Sequence, residues 1–190
     1  MKQEVASFLD YVAHSPTVFQ ATQQACDMLD AAGFTRLSEH EAWEILPGGR
    51  YYVTRNRSAL VAFAVPENGF THCQIVASHG DSPTFKLKAH AEGEAAGAYI
   101  RLDVEPYGGM IMSTWFDRPL SIAGRALVRE DGRLVTRLID LDRDAALIPN
   151  MPIHFNRDIN SGYSYNPQTD MLPLFGGKDA KGALAAEIAA

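Results

Sequence analysis

A histidine and an aspartate stand two residues apart in the segment SHGDSP, residues 78–83. This segment follows the apolar run 73–77, which is typical of a buried strand, so both side chains would project from a strand end. A neutral imidazole is a good zinc ligand, and a carboxylate two residues on can bind the metal or orient the ring. His79 and Asp81 are therefore candidate site residues. The alternative is a polar turn with an ordinary surface histidine, because this spacing is short and common.

A second candidate, His154, lies between Ile153 and Phe155 in the segment PIHFNRDIN, residues 152–160. By itself the pattern favours a structural histidine at a strand edge, with its ring hydrogen-bonded locally. In the functional interpretation, His154 would polarise a carbonyl group or stabilise a developing oxyanion. The residues alone leave both interpretations open.

A third segment combines the turn Gly108-Gly109 with the run STWFDRP, residues 113–119. The glycine pair permits unusual backbone angles. Trp115 and Phe116 form a large apolar anchor beside the Asp117–Arg118 charge pair, and such a cluster more often packs a core or a subunit interface than performs chemistry. Elsewhere, no serine lies in a GxSxG elbow, and neither cysteine has the sequence context of a nucleophile.

The elements that would position these residues begin with two helices. Apolar residues recur at helical spacing over residues 3–13, and Ser15-Pro16 indicates the start of a second helix, with Ser15 as its cap. Gly33 stands where a C-terminal glycine cap belongs. Strands are predicted at three places, of which the last two should be buried: residues 50–55, 59–65 and 73–77.

Beyond residue 84 the pattern changes to short alternating strands and turns, including a strand over residues 99–104. Asp131-Gly132, between two apolar stretches, is a strong hairpin signal. Residues 156–177 are dense in Asn, Gly, Pro and Ser, which predicts a long loop. Residues 180–190 are rich in alanine and favour a helix. The helices and strands before residue 84 indicate an α/β arrangement. The short strands and turns after it indicate a β-rich second unit.

Composition narrows the class of protein. The chain has 190 residues, of which 46% are hydrophobic and 21% charged, so it can form a core without disulfides. The net charge of −6 argues against nucleic acid as a partner. The sequence has no segment as long as a membrane-spanning helix and no signal-peptide pattern, so we expect a soluble, cytoplasmic protein. Cys26 and Cys73 have no regular spacing and are expected to be buried, reduced thiols.

Four ordered segments resemble the aspartyl aminopeptidase family. HGDSP followed by FKLK, residues 79–88, resembles the family's metal-binding HxDSPxxxxK segment. YGG followed by STWFDRPL and AGR, residues 107–125, looks like its YGG…STWFDRxL segment. IHFNRDIN, residues 153–160, is similar to its IHxxRxIN segment, and residues 8–17 are similar to its helical start with SPT. Together the four segments span nearly the whole chain, which makes the match specific.

This resemblance implies an α/β fold in which an exopeptidase-type catalytic domain is interrupted by a β-rich dimerisation domain. Residues 1–88 would be the N-terminal part of the catalytic domain, and residues 89–190 would be an incomplete dimerisation insert. A large homo-oligomer is implied as well. The implied reaction is zinc-assisted removal of N-terminal residues from peptides, with Asp or Glu preferred and two zinc ions in each complete site. Neither nucleic acid nor a membrane is an expected partner.

The resemblance also implies a role for each candidate site residue. His79 would bind one of the two metal ions, and Asp81 would support it as a catalytic residue of the site. His154 would reach the active site of a neighbouring subunit and contact the substrate or the tetrahedral intermediate. A metal-ligand role for His154 is the less favoured alternative, because a residue delivered by another subunit fixes coordination geometry poorly.

The family's remaining ligands and the Glu-Glu pair that carries its general base lie downstream of the matched segments, and this chain has no Glu-Glu dipeptide. A catalytic zinc needs about three protein ligands, so the chain alone is expected to be an inactive N-terminal portion with apolar surface exposed. Two alternatives stay open. One is a non-catalytic β-rich oligomerisation module or fragment, and the other is a small metal-binding protein that uses His79, Asp81 and His154. The metal content of the chain distinguishes these two alternatives, because only the small metal-binding protein would hold a zinc ion tightly by itself.

Overall fold

The computed structural model describes residues 2–190, which form two units. The first comprises the residues up to Ser82 together with Leu127–Leu138, and the second comprises Pro83–Ala126 together with Ile139–Ala190. The first contains two helices and a small sheet, whereas strands dominate the second. This mixture of helices and sheets confirms the α/β class that the sequence predicts.

Two helices open the first unit, α1 over Gln3–Ala13 and α2 over Val18–Ala31. The cap of α2 is Thr17, whose hydroxyl accepts a hydrogen bond from the backbone N–H of Phe19 at 3.2 Å. The prediction of Ser15 as the cap was therefore wrong by two residues, because Thr17 is the hydroxyl residue that reaches an unpaired N–H of the first turn. Within residues 2–190, no helix has the length and apolar character needed to cross a membrane.

The chain leaves α2 through Gly33, whose φ of 76° confirms the predicted glycine cap. The N–H groups of Gly33 and Phe34 donate to the carbonyls of Asp30 and Leu29, which satisfies carbonyl groups at the helix end. A three-stranded sheet follows, in which the first two strands are parallel and the last two antiparallel. Its strands are β1 Thr35–Leu37, β2 Arg50–Arg55 and β3 Ala59–Ala64.

Tyr52 connects α2 to the sheet of the first unit. Its side chain is fully buried, and its hydroxyl donates to the carboxylate of Asp30 at 2.7 Å. Burial, together with this hydrogen bond to a carboxylate, raises the pKa of Tyr52 to about 12. Burial also raises the pKa of the Cys26 thiol in α2, which keeps that thiol neutral and unreactive.

Two strand predictions in this unit need correction. Strand β3 forms, but Val61 is 62% exposed, because β3 is an edge strand that pairs only with β2 in the described chain. Residues 73–77 form no strand, and Ile75 and Val76 are 83% and 97% exposed. A buried strand needs a hydrogen-bonded neighbour, and residues 2–190 provide no strand that pairs with this run. Cys73, predicted to be buried, is exposed for the same reason.

An antiparallel five-stranded sheet forms most of the second unit. Its strands are β4 Thr84–Ala95, β5 Tyr99–Tyr107, β6 Pro119–Leu120, β9 Ala146–Leu147 and β10 Leu174–Gly177, in the spatial order β4-β5-β10-β9-β6. Strand β5 confirms the strand predicted at residues 99–104. Ile100, Leu102 and Val104 alternate along it and are at most 2% exposed, so one face of β5 lies in the core.

Strands β7, Ala123–Glu130, and β8, Arg133–Asp140, form the hairpin that the sequence predicts. Asp131 and Gly132 both have positive φ, 48° and 78°, which a two-residue hairpin turn of this kind requires. The alanine-rich end forms α3, Ala183–Ala189, as predicted.

A long loop, here called the β9–β10 loop, runs from residue 148 to residue 173. The loop predicted over residues 156–177 is therefore confirmed up to residue 173, but the last four residues are β10. Leu174 pairs with Arg101 on one side and with Leu147 on the other, so sheet pairing outweighs the glycine-rich composition there. Ile148 and Met171, near the two ends of the loop, are fully buried.

Replacing Tyr52 by phenylalanine removes the hydrogen bond to Asp30 and keeps the buried ring. We expect the free energy of unfolding at pH 7 to fall by about 1.5–3 kcal/mol, because a hydrogen bond to a charged acceptor contributes about that much. Urea unfolding measures this difference. Tyr99→Phe is the matched control, since Tyr99 is 49% exposed, and should change stability by less than about 0.5 kcal/mol.

The same pair of proteins tests the pKa of Tyr52. The folded pKa of about 12 lies above the unfolded value of about 10. The extra free energy of unfolding that tyrosine gives over phenylalanine is therefore fully present below pH 10. It is lost as the pH rises from 10 towards 12. A stability difference that stays constant between pH 9 and pH 11.5 would contradict the assigned hydrogen bond.

Thiol labelling of the folded chain tests the exposure of residues 73–77. We expect an aromatic disulfide reagent to modify Cys73 rapidly and the buried Cys26 only on unfolding. Cys73→Ser should abolish the rapid phase, and Cys26→Ser should leave it unchanged. Slow labelling of both thiols would mean that the run 73–77 is covered.

Candidate metal and substrate site

His79 and Asp81 form a hydrogen-bonded pair in the irregular segment before β4. The Nδ1 atom of His79 is 3.0 Å from Oδ1 of Asp81. An ionised carboxylate only accepts hydrogen bonds, so Nδ1 is the donor of this pair, and in the neutral form of the ring Nε2 keeps its lone pair. The side chain of His79 is 93% exposed and that of Asp81 is 32% exposed. The pair therefore presents an oriented imidazole nitrogen, as in sites where a carboxylate fixes the ring of a zinc-binding histidine.

The turn at Gly108 lies against the end of this segment. Gly108 has a φ of 75°, and a Cβ atom at this position would be 3.5 Å from Cα of Pro83. A side chain here would be disfavoured by the backbone angle, and its Cβ atom would be in van der Waals contact with Pro83. The structure thus brings two of the motifs found in the sequence, HGDSP and YGG, into contact at their ends.

His79 fits one position of a zinc site, but the described chain does not provide a whole site. Within residues 2–190, no group of three or more His, Cys, Asp and Glu side chains is arranged to hold a metal ion. A catalytic zinc needs about three protein ligands.

His154 lies in the second unit, on an exposed turn of the β9–β10 loop rather than at a strand edge. The carbonyl of Pro152 accepts hydrogen bonds from the N–H groups of Phe155 at 2.9 Å and Asn156 at 3.2 Å. Ile153 and Phe155, on either side of the histidine, are 49% and 81% exposed. Exposed apolar side chains around a histidine suit contact with another surface.

The segment STWFDRP packs the core, as predicted. Phe116 is 9% exposed and belongs to an apolar cluster with Ile148 and Met171. The neighbouring Asp117 and Arg118 each have a hydrogen-bond partner of their own. Oδ1 of Asp117 accepts from the backbone N–H of Asn150 at 3.0 Å, and the guanidinium of Arg118 donates to a backbone carbonyl at 3.5 Å.

Sequence analysis missed Asp170, which organises the returning half of the β9–β10 loop. Its carboxylate accepts hydrogen bonds from the N–H of Asn166 at 2.8 Å, the hydroxyl of Tyr163 at 3.0 Å and the hydroxyl of Thr169 at 3.1 Å. Partial burial raises the pKa of Asp170, but these hydrogen bonds outweigh burial and lower it below its usual value. The available signal was the Asn-Pro turn at Asn166, four residues before the acceptor.

Comparison with known proteins identifies relatives of the chain. Residues 11–187 match the family described as aminopeptidase I zinc metalloprotease, M18. A probable M18 family aminopeptidase 2 of Clostridium acetobutylicum is 43% identical over 186 residues, and an aspartyl aminopeptidase 1 of Schizosaccharomyces pombe is 44% identical over 177 residues. These matches cover 93% and 89% of this chain but only 42% and 37% of the two relatives.

Solved structures show the same likeness. A chain in the cryo-EM structure of the Ape4 and Nbr1 complex matches with a TM-score of 0.85 and 41% identity, over 92% of this chain and 34% of that chain. A chain in the structure of the S. cerevisiae mApe1 dodecamer matches with a TM-score of 0.73 and 26% identity, over 91% of this chain and 38% of that chain. The family resemblance inferred from the motifs is therefore confirmed.

Zinc binding by residues 1–190 alone tests how much of the site is present. We expect clearly less than one zinc per chain after dialysis, because one histidine with a carboxylate partner cannot hold the ion tightly. Elemental analysis measures the content, and His79→Ala should leave it unchanged. The matched control is His90→Ala, an exposed histidine of β4. One tightly held zinc that is lost in His79→Ala would instead support a small metal site.

Proposed function

The chain belongs to the M18 family of aminopeptidases, and from this premise we propose that it contributes to a zinc-dependent aminopeptidase that removes N-terminal residues from peptides. The observation that carries the proposal is the match to a zinc metalloprotease family over residues 11–187. The oriented imidazole of His79 supports it. Because the chain spans about two fifths of the length of its curated relatives, the activity is proposed for a protein with the complete fold.

His79 is assigned as a metal ligand, and Asp81 as the residue that holds it in place. When bound, zinc supplies Lewis-acid activation of the scissile carbonyl and of a water molecule, and we expect two ions in the complete site. Asp81 keeps the proton on Nδ1 and directs Nε2 outward. Without this bond, the 93% exposed ring of His79 would rotate freely, so Asp81 contributes to catalysis through the histidine.

His154 is assigned as a substrate-contacting residue that acts in the active site of a neighbouring copy of the protein. There it would polarise the scissile carbonyl or stabilise the developing oxyanion. The exposed Ile153 and Phe155 beside it support insertion of this turn into another surface. A metal-ligand role is less favoured, because a loop delivered by another copy holds a coordination distance poorly.

The proposal assigns residues 1–88 to the N-terminal part of the catalytic domain and residues 89–190 to a dimerisation insert. Helices and a small sheet up to Ala64, and antiparallel strands from Thr84 onward, support a division into two such parts. The two compact units of the structure divide at Ser82 rather than at residue 88, which lies within β4, and Leu127–Leu138 belongs to the first of them. Assembly into a large homo-oligomer is supported by the similarity to a chain of the mApe1 dodecamer. The alternative is a non-catalytic oligomerisation module, which would bind no zinc at His79 even with the complete fold.

The substrates we propose are peptides with Asp or Glu at the N-terminus, in the cytoplasm. The name of the Schizosaccharomyces pombe relative, aspartyl aminopeptidase 1, supports the acidic preference. The two free cysteines are consistent with a reducing compartment. The proposal involves neither nucleic acid nor a membrane as a partner, in line with a net charge of −6 spread over the chain.

Hydrolysis by the complete protein tests this proposal. We expect peptides with N-terminal Asp or Glu to be cleaved faster than neutral ones, and a chelator to abolish cleavage until zinc is added. His79→Ala should lower zinc content and reduce kcat/KM by about 100-fold or more, because a metal ligand is lost. His154→Ala should keep the zinc content and lower kcat by about 10²-fold, the scale of general acid–base or oxyanion contacts.

His90→Ala is the matched control for both variants, since His90 is an exposed histidine of β4 outside the proposed site. It should retain the zinc content and rate of the unsubstituted protein. Loss of zinc in His154→Ala would assign that histidine to the metal instead of the substrate. A protein with the complete fold that binds no zinc would favour the oligomerisation module.

A further inference from the structure

The β9–β10 loop begins and ends at one apolar cluster. Ile148, at its start, and Met171, near its end, are 0% exposed and pack in the same cluster as Phe116. Tyr165, on the returning half, also packs on Phe116, with ring centroids 5.0 Å apart. The core therefore fixes where the loop leaves and rejoins the second unit, but apolar contacts alone do not fix its direction.

Asp117 holds the departing end through two hydrogen bonds. Its backbone N–H donates to the carbonyl of Ile148 at 2.9 Å, and its carboxylate accepts from the N–H of Asn150 at 3.0 Å. The φ of Asp117 is 55°, a left-handed conformation that aspartate tolerates better than most residues. A strained backbone that aims both its N–H and its side chain at one segment is typical of a positioning role.

Asp170 ties the returning end together directly before Met171, whose burial in the apolar cluster fixes that end to the second unit. The Asp170 carboxylate accepts hydrogen bonds from the N–H of Asn166 and from the hydroxyls of Tyr163 and Thr169. Hydrogen bonds to an ionised acceptor are stronger than neutral ones. Because these bonds keep the pKa of Asp170 below its usual value, the carboxylate is charged at neutral pH. Gln168, inside this stretch, accepts a further bond from Nζ of Lys88 in β4 at 2.8 Å.

The middle of the loop, residues 152–161, has no comparable support among the described residues. Its backbone hydrogen bonds close local turns: Phe155 and Asn156 donate to Pro152, Ile159 donates to Asn156, and Ser161 donates to Asp158. Local turns shape the segment but do not orient it relative to the sheet. The direction in which His154 is presented therefore depends on how the two ends are held.

We propose that Asp117 and Asp170 are positioning residues for His154. The two aspartates clamp the two ends of the β9–β10 loop, so that the loop carries the histidine in a fixed direction. This inference rests on the proposed role of His154 as a substrate-contacting residue. Neither aspartate would touch the substrate. Each acts through the backbone of the loop, at opposite ends of the segment that carries the histidine.

Steady-state kinetics of the complete protein test the clamp. We expect Asp117→Ala and Asp170→Ala each to lower kcat by about 10- to 100-fold, with KM changed less than about 3-fold, because a displacement of about 1 Å costs that much. Zinc content and oligomer size should not change. Asp117→Asn and Asp170→Asn keep an acceptor oxygen and should recover most of the rate. Asp144→Ala is the matched control, an exposed aspartate outside the loop.

Double variants show whether the effect passes through His154. In a His154→Ala background, Asp117→Ala and Asp170→Ala should cause no further loss of kcat. Hydrogen–deuterium exchange of residues 153–160 should be faster in both alanine variants and unchanged in Asp144→Ala. The proposal would be overturned if the aspartate variants lowered kcat by the same factor in the His154→Ala background as in the unsubstituted protein. Unchanged deuterium exchange of residues 153–160 in the two alanine variants would overturn it as well.

The same data separate this inference from the proposed function. If His154→Ala leaves kcat unchanged, His154 does not have its proposed role, and Asp117 and Asp170 cannot serve catalysis by positioning it. The exchange measurements then decide alone whether the two carboxylates hold the loop. If His154→Ala lowers kcat and the aspartate variants do not, the role of His154 stands and the clamp is wrong.

Discussion

The contact of Phe116 with Ile148 and Met171 is the interaction on which the second half of the chain depends. The three residues are far apart in sequence, yet each is at most 9% exposed and they form one cluster. Closing a long loop costs entropy that grows only slowly with its length, so the cost can be offset where both ends meet a common core. The apolar cluster thus permits a loop of this length, and polar contacts at its ends then give it a direction.

Features that depend on residues close together in sequence were predicted well. Asp131-Gly132 specified a hairpin because both positions need positive φ, and Gly33 ended α2 for the same stereochemical reason. The alternating pattern of residues 99–104 predicted a strand, and Ile100 and Leu102 lie on its buried face. In each case the local chemistry leaves few alternatives, so the pattern and the structure agree.

Features that depend on a partner elsewhere were not predicted. The apolar run 73–77 has the composition of a buried strand, but composition does not say whether a neighbouring strand exists, and within residues 2–190 none pairs with it. Asp170 was missed because its three donors converge through the fold of the loop rather than through a spacing rule. At the candidate site, the His79–Asp81 pair was foreseen since the two residues are almost adjacent. The turn that carries His154 was not.

The two candidate histidines differ in how they are supported, and this difference bears on what each can do. The ring of His79 is fixed by a carboxylate two residues away, so its orientation needs little of the remaining fold. A metal ligand requires such local control, because coordination distances tolerate only a few tenths of an ångström. His154 is carried on local turns whose direction is set by two aspartates at the loop ends. Support of this kind holds the segment in place but leaves the imidazole ring free to rotate. Such a ring is better suited to contact a substrate that changes shape during the reaction than to bind a metal ion.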